Sequence, residues 1–194
     1  FLPLLFFGCE QKTQEQQEVI PLAARQQLIR LSVDLRAIHP SEEELQAIET
    51  NPDLYDDFVD RYLEDPRLID RVRQIFNTRY LMRTGSTFNN EGSGYSQEQV
   101  AAAIEEESLG LLAYIFENDL PYSEIVTANY TMGNPVLASL WNLDYPNGES
   151  GWKPVRYQDN RPHAGILSMN SVWMRYPSEG GNANRHRANA VSKM

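Results

Sequence analysis

Glu105-Glu106-Glu107 is the densest run of groups in this chain able to do acid–base work. Two carboxyls in different surroundings can divide such work, one buried and protonated, the other ionised. On a helix, however, three consecutive residues sweep about 200°, so they do not face one another, and the run reads as a solvated helix surface. The three histidines, His39, His163 and His186, are widely spaced, and no H-E-x-x-H sets two imidazoles on one helix face. No metal centre is expected, and His39, beside Pro40 at a helix end, reads as a capping or exposed residue. Ser168 and Ser171 lack the G-x-S-x-G elbow that presents a nucleophilic serine, and no glycine-rich phosphate loop is present. Arg185-His186-Arg187 is the polar group of most interest. Set after Gly180-Gly181-Asn182-Ala183-Asn184, it could bind an anion at a helix start through backbone amides and guanidinium forks. The same arginines could instead fix the loop through carbonyls or carboxylates. Met169, Trp173, Met174 and Tyr176 stand at near-helical spacing, which favours core packing over haem ligation. No catalytic residue is assigned.

The elements that must position these groups are helical. Leu28, Leu31, Leu35 and Ile38 recur at helical spacing before Pro40, and Ser41-Glu42-Glu43-Glu44 is a capping-box signature. Asn51-Pro52 and Asp65-Pro66 each set a good N-cap before proline at the first helical position. Leu54, Tyr55, Phe58, Val59, Tyr62 and Leu63 form the next apolar face, and Leu68, Ile69, Val72, Ile75, Phe76 and Tyr80 the one after it. Thr84 to Gly94 is a Gly/Ser/Asn loop, so residues 84–95 read as a hinge or insertion. Ser96 with Gln99 caps a long helix over residues 97–118, and Asn134-Pro135 opens a brief turn. Residues 141–162 are irregular and rich in Trp, Tyr, Pro and Gly, with room for one short hairpin about Asn147-Gly148. The expected fold is mainly α: one helical domain over residues 22–194, cut short at its C-terminus.

Composition narrows the function. The chain has 194 residues, 41% hydrophobic and 23% charged, which is globular rather than disordered. Its formal net charge of −10 argues against nucleic acid as a partner, since that affinity comes from neutralising phosphates. Charge is also segregated: residues 42–65 hold ten acids against Arg61 alone, and residues 152–194 hold seven Lys/Arg against Asp159 and Glu179. The simplest expectation is a solvated acidic face with the basic tail packed against it. The single cysteine, Cys9, forbids an internal disulfide and any C-x-x-C-H haem attachment within these residues. Residues 1–8 are apolar up to Gly8 and suit the end of a signal peptide, and Gly8-Cys9 resembles the cleavage point of a bacterial lipobox. Residues 9–21, polar and without apolar periodicity, then read as a lipidated tether that holds the protein to the membrane through Cys9. The expected address is the bacterial cell envelope.

Arg30-Leu31-Ser32-Val33-Asp34-Leu35, continued by Pro40-Ser41-Glu42-Glu43-Glu44-Leu45, resembles the R-L-x-x-D-L-x-x-x-x-P-[ST]-x-E-E-[LV] opening of the domains of unknown function in planctomycete cytochrome c-like proteins. Val59-Asp60-Arg61-Tyr62-Leu63 with Asp65-Pro66, Asp119-Leu120-Pro121-Tyr122, Gly165-Ile166-Leu167 and Asn184-Arg185 are similar to later segments of that family. Two departures stand out: Ala37 falls near the usual glycine, and no proline follows Arg185. The resemblance implies an exported, mostly helical accessory or binding module of a cytochrome c-associated system. Its partner would be another protein or a haem domain, and any covalent haem c would lie outside these residues. The alternative is an envelope hydrolase acting on polymeric carbohydrate, with Glu106 as carboxylate and Trp141 and Trp152 as sugar platforms.

Overall fold

Ser41 accepts the Glu44 N–H at 3.2 Å while the Glu44 carboxylate accepts the Ser41 N–H at 2.9 Å, so the expected capping box is present in full. It starts α2 (Glu42–Thr50) of a computed structural model that describes residues 22–177 and 185–192. Cys9 with its tether and the Gly180-Gly181 loop lie outside the described residues. Before α2 runs α1 (Ala24–Arg36), and after it a 3-10 turn (Pro52–Leu54), α3 (Tyr55–Leu63) and α4 (Arg67–Tyr80). The Asn51 and Asp65 side chains accept the N–H groups of Asp53 and Arg67, as their places before proline predict. Leu28, Leu45, Ile48, Phe58 and Tyr62 meet in the core of this N-terminal bundle.

One charged side chain sits inside that bundle. Arg36 is 9% exposed, and its guanidinium donates to Ser32 Oγ at 2.8 Å and to Glu44 Oε2 at 3.1 Å. It also stands 3.8 Å from Asp65 Oδ2 and lies over the Tyr62 ring, 3.5 Å from its centroid. Burial would raise the Glu44 carboxyl, but the Ser41 N–H and the Arg36 guanidinium outweigh it and hold the group below its ordinary range. Burial pushes the Tyr62 phenol up to about 12. Four of the ten acids are thus paired with arginines of their own neighbourhood: Glu42 and Glu49 with Arg25, Glu44 with Arg36 and Arg61, and Asp65 with Arg36 and Arg67. This corrects the expectation of a basic tail packed on an acidic face. The neutralising charges come from α1, α3 and α4.

The longest helix is α5 (Gln97–Glu117), opened by a second capping box at Ser96 and Gln99. Seven consecutive residues, Glu107 to Ala113, are buried. A helix buried on every side must be enclosed by other elements, and α4, α6 (Glu124–Thr127), β1 (Thr131–Gly133), α7 (Pro135–Leu140) and α8 (Asn170–Arg175) all pack on α5. A short α9 (Arg185–Val191) completes nine helices among the described residues. β1 pairs antiparallel with β2 (Lys153–Val155), with Thr131 opposite Val155 and Gly133 opposite Lys153. The fold is mainly α, as expected. The hairpin differs in detail: Asn147-Gly148 lies in a wide excursion whose arms meet at Leu143 and Tyr157, while the true partner strand of β2 lies upstream of α7. Strands of three residues are too short to show a period of two. Loop 84–95 is tied down, with Asn90 donating to the Tyr95 carbonyl at 2.8 Å and Phe88 and Tyr95 packed on the core.

Two substitutions test the N-terminal bundle. Arg36→Leu removes the buried cation between Glu44 and Asp65 and leaves them only the exposed Arg61 and Arg67, and we expect denaturant unfolding to show a loss of about 3 kcal/mol. Arg30→Leu, which removes only an exposed pair with Asp34, costs under about 1 kcal/mol. Ala37 ends α1 at φ 56°, the left-handed conformation that glycine takes freely. Ala37→Gly should therefore stabilise by about 0.5–1 kcal/mol in the same measurement.

Candidate functional site

The three glutamates of α5 part company in the structure. Glu105 caps the loop ahead of the helix, accepting the N–H groups of Thr84 and Gly85, each at 2.6 Å. Glu106 pairs with Arg83 at 2.5 Å. Glu107 turns inward and is 1% exposed. Its Oε1 accepts the Thr131 hydroxyl at 2.5 Å, and its Oε2 has no hydrogen-bond partner. Burial outweighs the Thr131 bond and pushes the carboxyl from its ordinary 4.5 to about 8, so it is a neutral acid at pH 7. The expected solvated surface is therefore corrected for all three. The signal lay beyond the glutamates: Leu109-Gly110-Leu111-Leu112-Ala113 has no polar face on which a neighbouring Glu107 could reach water.

Beyond Glu107 stands Tyr157, whose phenol is pushed up by burial first and by the Glu107 charge second. The Tyr157 ring stacks on His163, centroids 5.9 Å apart and planes at 27°, and the Arg161 guanidinium lies 4.6 Å from its centre on a face. His163 is 8% exposed; its backbone N–H donates to Asn129 Oδ1 at 2.8 Å, and neither ring nitrogen makes a hydrogen bond. Burial holds its imidazole below the ordinary range, against a smaller opposing pull from the Ala128 carbonyl. Spacing along the chain could not bring His163 and Glu107 to the same tyrosine, because tertiary folding alone joins them.

A long groove crosses the outer side of α5 and β2. It consists of two cavities of about 520 and 540 Å³ that share Tyr114 and Pro154. One is lined by Glu124, Tyr130, Asp144 and Arg156, the other by Arg73, Glu117 and Trp152. Tyr130 donates to Glu124 at 2.6 Å and meets Tyr114 edge to face, with ring centroids 6.0 Å apart. Aromatic faces and both signs of charge line this groove, which suits a mixed polar and apolar ligand. Glu106 is not among its lining residues, and Trp141 packs on the core beside Leu137 and Leu143. Of the residues named for sugar hydrolysis, Trp152 alone lines it.

The other candidates are dispersed. Arg185 and His186 are exposed on α9, whereas Arg187 is half-buried, donating to the Tyr176 carbonyl at 3.4 Å and lying 5.0 Å from the Trp173 ring centre. His39 is exposed, with Nδ1 3.1 Å from the Pro40 carbonyl. Ser171 bonds the Ser108 hydroxyl inside the core, and Ser168 accepts the Ala164 N–H at 2.8 Å. Met169 is core, and the Trp173 indole donates to the Leu167 carbonyl at 2.6 Å. Among the described residues no group of three or more His, Cys, Asp or Glu is placed to hold a metal, and no helix is long and apolar enough to cross a membrane.

The buried acid predicts a pH signature. The unfolded chain ionises Glu107 near its ordinary 4.5, and the folded chain keeps the proton to about 8. Between those values the unfolded state binds fewer protons, so stability falls as pH rises through the window. Relative to Glu107→Gln, wild type should lose stability steadily from about pH 4.5 to 8 in denaturant titrations and run parallel to the variant outside that range.

No curated protein and no solved structure matches this chain. The model of one protein family, described as PSD4, protein of unknown function (DUF1592), matches residues 24–143. The match runs from the first residue of α1 through α7 to the arm of the wide hairpin, and it takes in the Arg30–Leu45 motif that holds the Arg36 cluster. It spans more than half of the sequence, and the chain belongs to this family of unknown function, DUF1592.

Proposed function

We propose that this domain is a binding and positioning module of the bacterial cell envelope, tethered through a lipid on Cys9 and working beside a cytochrome c. One observation carries the preference for binding over catalysis. Glu107, the carboxyl that burial holds protonated, is not among the residues lining the groove that could receive a ligand. A general acid must touch the atom it protonates, and Glu107 is enclosed by α5 and β1 instead. The groove itself presents Tyr114, Tyr130 and Trp152 with Glu117, Glu124, Asp144, Arg73 and Arg156, which are contact groups for a partner surface. The Cys9 anchor rests on the apolar residues 1–8 and the polar tether after them, and the cytochrome link on the motif resemblance.

A second reading, hydrolysis of polymeric carbohydrate, draws on one feature: Glu124 and Asp144 line the same lobe as Tyr114 and Tyr130. It requires two carboxyls about 5–10 Å apart that flank a bound sugar.

The test uses full-length protein from its own membranes, read by absorption spectrum and haem stain. A covalently haem-bearing protein should co-purify, and the charge reversals Glu117→Lys with Asp144→Lys, both on exposed groove residues, should release it without unfolding the domain. Cys9→Ser should move the protein from the membrane to the soluble fraction. Haem-free material that turns over a polysaccharide would replace this reading with the hydrolase.

A further inference from the structure

A third cavity, of about 120 Å³, lies beside the groove, with Arg156 and Tyr130 on the lining of both. Asn129, Arg156, Tyr157, Asn160, Arg161 and His163 surround it. In a chain with ten more acids than bases, its lining contains two guanidiniums and no carboxylate. Arg161 is already matched, since it pairs with Asp159 at 2.6 Å. Arg156 is exposed, and its side chain makes no hydrogen bond or ion pair among the described residues. The decisive group is His163, whose ring nitrogens are both buried and both without a partner. A neutral imidazole carries one N–H in either tautomer; the Ala128 carbonyl that pulls on the ring already accepts the Gly165 N–H and makes no hydrogen bond to either ring nitrogen, so this buried donor is left for a ligand. The Asn129 amide reinforces the bias. Its Oδ1 is taken by the His163 N–H, which leaves its NH₂ to donate.

We propose that this cavity is a binding site for a tetrahedral oxyanion, phosphate or sulfate, held by the Arg156 guanidinium with the His163 ring N–H and the Asn129 amide as neutral donors. Each group is a donor without a competing carboxylate in the lining, and the cavity has room for more than a single water. The oxyanion arrives either as the free ion or as the end group of a larger molecule lying in the adjoining groove. Arg156 serves both spaces and is the point where such a molecule would turn inward. The site shares Arg156 and Tyr130 with the groove, and it is separate from Arg185, His186 and Arg187 on α9.

The test is calorimetric titration of the folded protein with inorganic phosphate and with sulfate, against chloride at matched ionic strength. Saturable binding with a Kd on the order of 1 mM or tighter is expected, together with movement of the His163 ring resonances in NMR spectra. Arg156→Gln should weaken binding about tenfold or more by removing a charge-assisted bond. It carries the test because its side chain is exposed and makes no hydrogen bond or ion pair within the described fold, whereas His163→Gln, expected to weaken binding too, alters a buried position. Arg30→Gln, exposed on α1, should leave binding unchanged. A glycerol phosphate arm separates the two sources: tighter binding of the ester assigns the site to an end group, and tighter binding of inorganic phosphate to the free ion. No saturable binding beyond chloride, or binding unchanged in Arg156→Gln, overturns the proposal.

Discussion

The larger part of this molecule answers to a single requirement: the middle of α5 has no side on which it can meet water. From Glu107 to Ala113 each residue is covered. One layer of helices cannot do this, so the chain returns to α5 repeatedly, with α4 on one flank, β1 and α7 on another and α8 across the Ser108–Ser171 contact. The two-stranded sheet belongs to this enclosure and is not a separate motif. Thr131 of β1 offers its hydroxyl to the one acid that the enclosure traps. A half-satisfied buried carboxyl is costly when charged, and protonation is the cheaper state.

The N-terminal bundle solves the opposite problem. Arg36 cannot shed its charge, since a guanidinium stays protonated at any ordinary pH. It is kept charged and surrounded by acceptors from three directions: Ser32, Glu44 and Asp65, with the Tyr62 ring above. Glu44 acts twice, closing the cap of α2 and holding Arg36, which ties a local helix signal to a tertiary contact. Arg36 and Glu107 are thus handled in opposite ways, the one by pairing and the other by neutralisation. Among the described residues, no ion pair joins the acidic stretch of residues 42–65 to the basic stretch after residue 152.

What could be read from the sequence was what local chemistry decides. The capping boxes at Ser41 and Ser96, the proline-led starts at Pro52 and Pro135 and the apolar stripes of α1 to α4 all follow from rules that reach four residues. Ala37 was legible too, as a residue in a place that favours glycine, and its positive φ bears out why. Not every apolar position obeyed its stripe: Leu63, Ile75 and Phe116 are about half exposed. The site was illegible for a different reason. Glu107, Tyr157 and His163 come from a helix, a post-strand segment and a loop, and the buried state of each is set by elements dozens of residues away. A helical wheel sees Glu107 as one of three acids, and only the enclosure of α5 distinguishes it from Glu105 and Glu106.

Ile166, Met169 and Val172 fill the same cluster as Leu109, Leu112 and Ile115. They are brought there by a close approach at Gly165, whose N–H donates to Ala128 and whose φ of 51° lets the next residue bond Ile125. A methyl group at Gly165 would stand 1.9 Å from the Ile125 carbonyl oxygen, so the junction admits no side chain. The family match stops at residue 143, before β2 and before this junction. A ribosome that had released the chain only as far as residue 143 would hold α5 with one wall missing, the wall that α8 supplies last.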